Sequence, residues 1–254
     1  MATDDNADYK ADFDSLIQKM NDDPDGEYIN TYGVRTDEKE LLIRESAFLK
    51  PHRLYVFKAI VDLLNELRIK WFISDGTLLG WYRHRTMIPH DYDLDLAIME
   101  EDMQKVWKNR HKLPNDVVLD NVGSADQSGR VWVTDDTSIP FDPASRSAKK
   151  LGAYKTTLPP KPKDRPVFVW EACIDIQTYR KEDDGWHNNY NLNGLDLGVT
   201  AFADNVIFPL VKTDFEGMEV FIPNDAERWL ELNYGYLGED AIWDAETSKY
   251  KRRE

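Results

Sequence analysis

The chain has 254 residues and a formal net charge of −15, with 41% hydrophobic and 12% aromatic residues. That length and apolar content predict a folded globule with a sizeable core, one domain with room for an elaborated insert. The acidic balance weighs against nucleic acid as a partner, and no run of 18 apolar residues offers a membrane-spanning helix.

Residues 1–40 are acidic and read as a loosely ordered segment, with Phe13, Leu16, Ile17 and Met20 at the spacing of one short amphipathic helix. Pro24-Asp25-Gly26 is a turn signal. From Pro51 to Ile69 the positions Leu54, Phe57, Ile60, Val61, Leu64 and Leu67 recur at helical spacing and predict a core-facing helix. It delivers the chain into a short strand, Trp71-Phe72-Ile73, followed by small and turn-prone residues Ser74 to Thr77 and a helix-like run to Arg83.

After a basic turn with Pro89 comes Asp91-Tyr92-Asp93-Leu94-Asp95-Leu96-Ala97-Ile98. Acid and apolar residues alternating at period two predict a strand whose Asp side chains share one face. Carboxylates crowded on one face repel each other and resist burial, and a hard cation such as Mg²⁺ or Mn²⁺ relieves them. A solvated edge strand is the plain alternative. An EF-hand loop is a third, but Leu96 stands where its sharp turn needs Gly and Asp102 where it needs Glu.

A helix is expected over Glu101 to Arg110. Residues 121–166 form an irregular insert in which Val131-Trp132-Val133 alone looks like a strand. Within 146–165, seven basic residues, including Lys149, Lys150, Lys161 and Lys163, face the single acid Asp164. That stretch fits either a solvated loop or a flap for an anionic ligand. Strand material follows over Val167 to Trp170 and Ala172 to Tyr179. There Asp175 lies between Ile174 and Ile176 and so projects to the opposite face. Cys173 is the only cysteine, which excludes an internal disulfide and a thiolate zinc site. A strand stopped by Pro223, then a helix capped by Asn224 and ended by Gly235, completes the reading.

Gly76-Thr77-Leu78-Leu79-Gly80, Arg83, Ile88-Pro89 and Asp91-x-Asp93-x-Asp95, in that order and spacing, resemble the signature of the LicD family, whose members include the fukutin-like proteins. Phe208-Pro209-Leu210, Phe215-x-Gly217, Arg228-Trp229-Leu230 and Asn233-Tyr234-Gly235 resemble that family's tail. Asp75 and His90 depart from it, standing where a small residue and Trp are frequent. The resemblance implies an α/β (α+β) nucleotidyltransferase-like fold over residues 41–254, a small mixed sheet with flanking helices. It implies metal-dependent transfer of a phosphoalkyl group, such as phosphocholine or a polyol phosphate, from a CDP-activated donor to a glycan or other hydroxyl. By the same resemblance Asp93, Asp95 and Asp175 would hold Mg²⁺ or Mn²⁺, with Asp91 as a further ligand or supporting group. Backbone N–H groups of Gly76 and Thr77, with Arg83, would meet the donor phosphate.

Two other functions stay open at this point: a nucleotidyltransferase moving NMP to a sugar phosphate or protein, and a non-catalytic glycan- or nucleotide-binding module. The N-terminus does not resemble a signal peptide and there is no Asn-x-Ser/Thr sequon, so a cytoplasmic location is expected. A chain trimmed of an N-terminal anchor would instead fit the Golgi lumen.

Overall fold

Two segments of alternating sequence build the centre of the molecule. The computed structural model describes residues 39–88, 91, 93–120, 129–134, 168–188, 201–238, 240–244, 246–247 and 249–254. The basic stretch 146–165 and the acidic N-terminus to residue 38 lie outside them. In chain order the elements are α1 (Lys39–Glu66), β1 (Trp71–Ile73), α2 (Asp75–His84), β2 (Asp93–Met99) and α3 (Glu100–Asn109). Then come β3 (Val117–Asp120), β4 (Gly129–Thr134), β5 (Phe168–Glu182), β6 (Gly185–Asn188) and α4 (Asp204–Ile207). Two hairpins, β7 (Val211–Phe215) with β8 (Met218–Ile222) and β9 (Ala241–Asp244) with β10 (Lys249–Arg252), flank α5 (Ala226–Tyr234).

The main sheet is mixed, with order β1-β2-β5-β4-β3 and β6 added along β5. Its one parallel pair, β2 with β5, sits in the middle, and the other pairs are antiparallel. Leu94, Leu96, Ile98, Ile174 and Ile176 are buried on one face of that pair. Burying each such side chain is worth about 2 kcal/mol, which lets the opposite face carry acids. The mixed sheet with flanking helices is the fold class expected from the sequence.

Several boundaries differ from the sequence expectation. Helix α1 starts at Lys39 and runs through Pro51, because the good helix formers of KELLIRESAFLK offset the one bond a proline removes. Asp91 stands ahead of β2, its N–H bonded to the Ile88 carbonyl at 3.1 Å, so only Asp93 and Asp95 are strand residues. The two apolar stretches after 166 form one long strand, β5. Helix α5 is capped by Asp225, whose carboxylate accepts the Arg228 N–H at 3.0 Å. Asn224 donates instead to the Asn205 carbonyl.

Phe57 of α1 meets Trp71 and Phe215 edge-on, with centroids 6.3 and 6.2 Å apart, and so ties the helix to β1 and to the β7–β8 hairpin. The hairpin's two-residue tip, Glu216-Gly217, has positive φ at both positions (53° and 73°). Positive φ at both loop residues is the type I′ turn that matches strand twist, and Gly is well suited to it. Glu216 is less suited, yet its side chain is put to use. Oε1 accepts from the Thr86 hydroxyl and, at 3.0 Å, from the Met87 N–H, while Oε2 meets Lys50 Nζ at 2.7 Å. One buried carboxylate thus holds the loop that leads from α2 to the aspartates. Charge-assisted bonds of this kind are worth about 2–3 kcal/mol each. Glu216→Ala should therefore lower the melting temperature by several degrees and make residues 85–88 faster to exchange amide hydrogens. Unchanged exchange there, measured by mass spectrometry, would contradict the anchoring role.

Candidate functional site

The site is assembled by register. In the parallel β2–β5 pair Asp93 lies opposite Cys173 and Asp95 opposite Asp175. Side chains on neighbouring strands at matched positions share a face, so these four residues form a two-by-two patch. On the other side of β5, Arg130 of β4 pairs with Asp175, and its guanidinium grips both carboxylate oxygens through Nε and Nη2. Single ligand atoms from Asp93, Cys173 and Asp175 come within 4.8 Å of one another.

Helix α2 closes the patch from above. The Asp95 N–H donates to the Thr77 hydroxyl at 2.7 Å, and the Ser74 N–H to the Asp95 carbonyl at 3.2 Å. Ser74 occupies the N-cap without a side-chain cap bond, so first-turn N–H groups of Asp75, Gly76 and Thr77 have no acceptor within the helix. Asp91 leans against this helix start: a Cβ on Gly76 would lie 2.6 Å from its Oδ2 and 3.5 Å from Asp95 Oδ2. Glycine is what lets the Asp91 carboxylate come this close to the helix backbone, whereas the approach of Asp95 is an ordinary contact.

Asp75 is the fifth acid. It begins α2 at φ 44°, a left-handed conformation that costs a non-glycine residue about 1–2 kcal/mol. Its carboxyl is buried against Ser74 and Gln177, with Oδ2 lacking a hydrogen-bond partner among the described residues. Gln177, on the same β5 face as Asp175, accepts from Asn188 Nδ2 at 2.5 Å. Strand β6 thereby braces the residue that faces Asp75.

Burial dominates the electrostatics. It pushes Asp75 up to about 6, helped by Asp175 and opposed by the Ser74 and Gln177 bonds. Burial and then the neighbouring aspartates carry Asp93 and Asp95 well above the ordinary carboxylate range. Asp175 is also raised by burial, with Arg130 pulling the other way. Burial and the facing Asp93 and Asp175 hold Cys173 far above the usual thiol value. The patch thus offers carboxylate oxygens and, from Cys173, one sulfur; oxygens in that majority suit a hard divalent cation such as Mg²⁺ or Mn²⁺.

Arg83 starts about 10 Å along the axis of α2 from Gly76. Its guanidinium lies over the Tyr250 ring, 4.8 Å from the centroid, and Tyr250 packs on Tyr234 at 6.1 Å. The phenol of Tyr234 is held well above its usual value, first by burial and then by Asp75 and Asp95. A phenol kept protonated beside acids is a hydrogen-bond donor.

Residues 68–156 match the family model described as LicD/FKTN/FKRP, nucleotidyltransferase domain. The chain carries a LicD-family domain. Among its relatives, an uncharacterized protein of Rickettsia prowazekii is 54% identical over 198 residues, 76% of this chain and 58% of that protein. An uncharacterized protein of Rickettsia typhi is 30% identical over 190 residues, 74% and 46% of the two chains. Human ribitol-5-phosphate transferase FKTN is 25% identical over 180 residues, 68% of this chain and 30% of FKTN. The chain thus spans about half or less of the length of most of these relatives. No helix among the described residues is long and apolar enough to cross a membrane.

The structure brings Asp93 and Asp95, within the matched residues, and Asp175, beyond them, onto one patch, with Asp91 and the Gly76–Thr77 backbone beside it, and seats Arg83 on an aromatic ring. Sequence reasoning missed three neighbours. Cys173 was within reach, since it lies two residues before Asp175 and so on the same strand face. Asp75 was noticed only as a departure from the family pattern. Arg130 carried no local signal beyond flanking a short apolar run.

Two outcomes follow from this geometry. Gly76→Ala puts a methyl group where the Asp91 carboxylate lies; Asp91 can swing away, so the variant should fold while losing about tenfold or more in divalent-metal affinity. Calorimetric titration with Mn²⁺ checks it, and wild-type affinity would separate Asp91 from the metal site.

The second concerns pH. These carboxyls have folded-state values above their unfolded ones, so the native state binds protons more tightly. Their contribution to stability is full below about pH 4 and drains away as pH rises through the folded values, Asp75's being about 6. In EDTA the melting temperature should fall from pH 5 to pH 7.5, by an amount of order a few kcal/mol in stability. Asp93→Asn should melt at or above wild type at pH 7.5 in EDTA. A variant melting well below wild type there would mark Asp93 as a structural group instead.

Proposed function

We propose that this domain transfers a phosphoalkyl group from a CDP-activated alcohol to a hydroxyl of a glycan, with a divalent cation held by Asp93, Asp95 and Asp175. The observation that carries the reading is the register placing Asp95 opposite Asp175 beneath the open N-terminus of α2. It puts a patch of carboxylates beside backbone N–H groups, an arrangement that supports a cation next to a phosphate. Relatives named as ribitol-5-phosphate transferases support the same class of chemistry.

When bound, the cation would neutralise charge on the attacked phosphate and on departing CMP. The chain's own residues do the rest. First-turn N–H groups of Gly76 and Thr77 bind donor phosphate oxygens, and the helix dipole favours the negative charge there. Asp91 borders that place and positions the ligand against Gly76. Asp175, raised above the ordinary carboxylate value by burial, is the residue to receive the acceptor hydroxyl's proton. Arg83, seated on the Tyr250 ring, is the cation that orients the donor from that side.

The test is incubation with CDP-ribitol, CDP-glycerol, CDP-choline or plain nucleoside triphosphates, each with Mg²⁺ or Mn²⁺ and a glycan acceptor. Release of CMP from a CDP-alcohol is the expected result. Pyrophosphate from a triphosphate would instead mark a nucleotidyltransferase, and metal binding with no turnover a binding module. Asp95→Asn and Asp175→Asn should each cut turnover at least about a hundredfold, some 3 kcal/mol of transition-state stabilisation, with circular dichroism unchanged. Near-wild-type turnover by Asp175→Asn would move the third acid elsewhere, with Glu171 the next candidate.

A further inference from the structure

The two-pronged grip of Arg130 on Asp175 uses both oxygens of a carboxylate that the proposed function assigns to a cation. Arg130 comes from β4, one strand further from β2, and is only 15% exposed, as against 8% for Asp175. A pair this well covered is not a surface ornament: removing either charge would leave the other buried. Its position is equally specific. The guanidinium lies on the same face of the sheet as Asp93, Asp95 and Asp175. Its guanidinium brings a positive charge into direct contact with this acidic patch. The planar fork of Arg that matches a carboxylate also matches a phosphate, bidentately in both cases.

We propose that Arg130 is an exchangeable counter-ion, paired with Asp175 in the metal-free site and transferred to a donor phosphate once that carboxylate turns to a divalent cation. The inference rests on the metal-site reading above and deepens it. Without the cation, Arg130 covers Asp175, limits repulsion within the patch and keeps the guanidinium out of the donor site. With Asp175 engaged by a cation, the guanidinium can turn from it to a phosphate held over the same sheet face. The same residue then contributes to donor binding. Metal and donor affinity become coupled through one side chain, because each favours the arrangement the other needs.

The exchange makes two opposed demands on one variant. Arg130→Gln removes a competitor for Asp175, so it should bind Mn²⁺ alone about tenfold more tightly than wild type. It also removes a phosphate partner, so with Mn²⁺ saturating it should bind inorganic pyrophosphate about tenfold more weakly. In EDTA the two proteins should differ little toward pyrophosphate, because the wild-type guanidinium is occupied. Arg130→Lys keeps one point charge without the fork and should fall between them in both titrations. Calorimetry gives each of these affinities, and circular dichroism confirms that each variant is folded; should Arg130→Gln not fold, the lysine variant carries the same comparison. A merely structural arginine would weaken Mn²⁺ binding or leave it unchanged, and either result overturns the exchange while the metal site stands. Equal pyrophosphate affinity in the loaded proteins would overturn the phosphate role. A wild-type protein that takes up no Mn²⁺ overturns the metal-site reading and the exchange together.

Discussion

The parallel pairing of β2 with β5 is the interaction on which the rest depends. Those strands are far apart in sequence, and only their register decides which acids become neighbours. A slip of one residue would turn Asp95 and Asp175 to opposite faces and send Leu94 or Ile174 to the patch. The apolar residues on the reverse face resist that slip: Leu94, Leu96, Ile174 and Ile176 are buried and have no second place to go. Hydrophobic burial on one side of the sheet therefore sets the geometry of charge on the other.

Around that pair the molecule concentrates strain and unfavourable charge in a small volume. Asp75 is held in a left-handed backbone conformation, five carboxyls lie close together, and the start of α2 has no side-chain cap. Each feature opposes stability, and each is held by something more remote. Gln177 and Asn188 brace Asp75, Thr77 ties α2 to the Asp95 backbone, and Arg130 covers Asp175. Strain persists where the surroundings over-determine it, which is the usual condition of a functional site.

Much of this was legible from residue order. The period-two alternation over Asp93 to Ile98 reveals both the strand and its acidic face. The spacing from Gly76 to Asp95 carries the family resemblance, and Ile174-Asp175-Ile176 is enough to give Asp175 its orientation. What residue order could not show is pairing. Nothing local in Gly129 to Thr134 says that this strand lies beside β5, so Arg130 stayed silent. Asp91 misled in the opposite way: it fits the alternation but stands before the strand, because its N–H is bonded to the Ile88 carbonyl. Helix α1 ran further back than its apolar stripe, since helix-forming side chains outweighed the signal of Pro51.

Glu216 carries a consequence in time as well as in space. The loop it holds, through Thr86 and Met87, lies some 130 residues earlier in the chain. During synthesis from the N-terminus, α2 and β2 leave the ribosome long before the β7–β8 hairpin exists. At about 5–20 residues per second that interval lasts roughly ten seconds. Throughout it the turn that delivers Asp91 to Gly76 lacks the Glu216 anchor, and for the first part of it β2 has no β5 to fix its acids. The nascent domain can collapse around α1 and β1 during that interval, while the acidic patch is completed only as the C-terminal third arrives. Long-range contacts of this kind slow folding, and here they also postpone the meeting of Asp95 with Asp175.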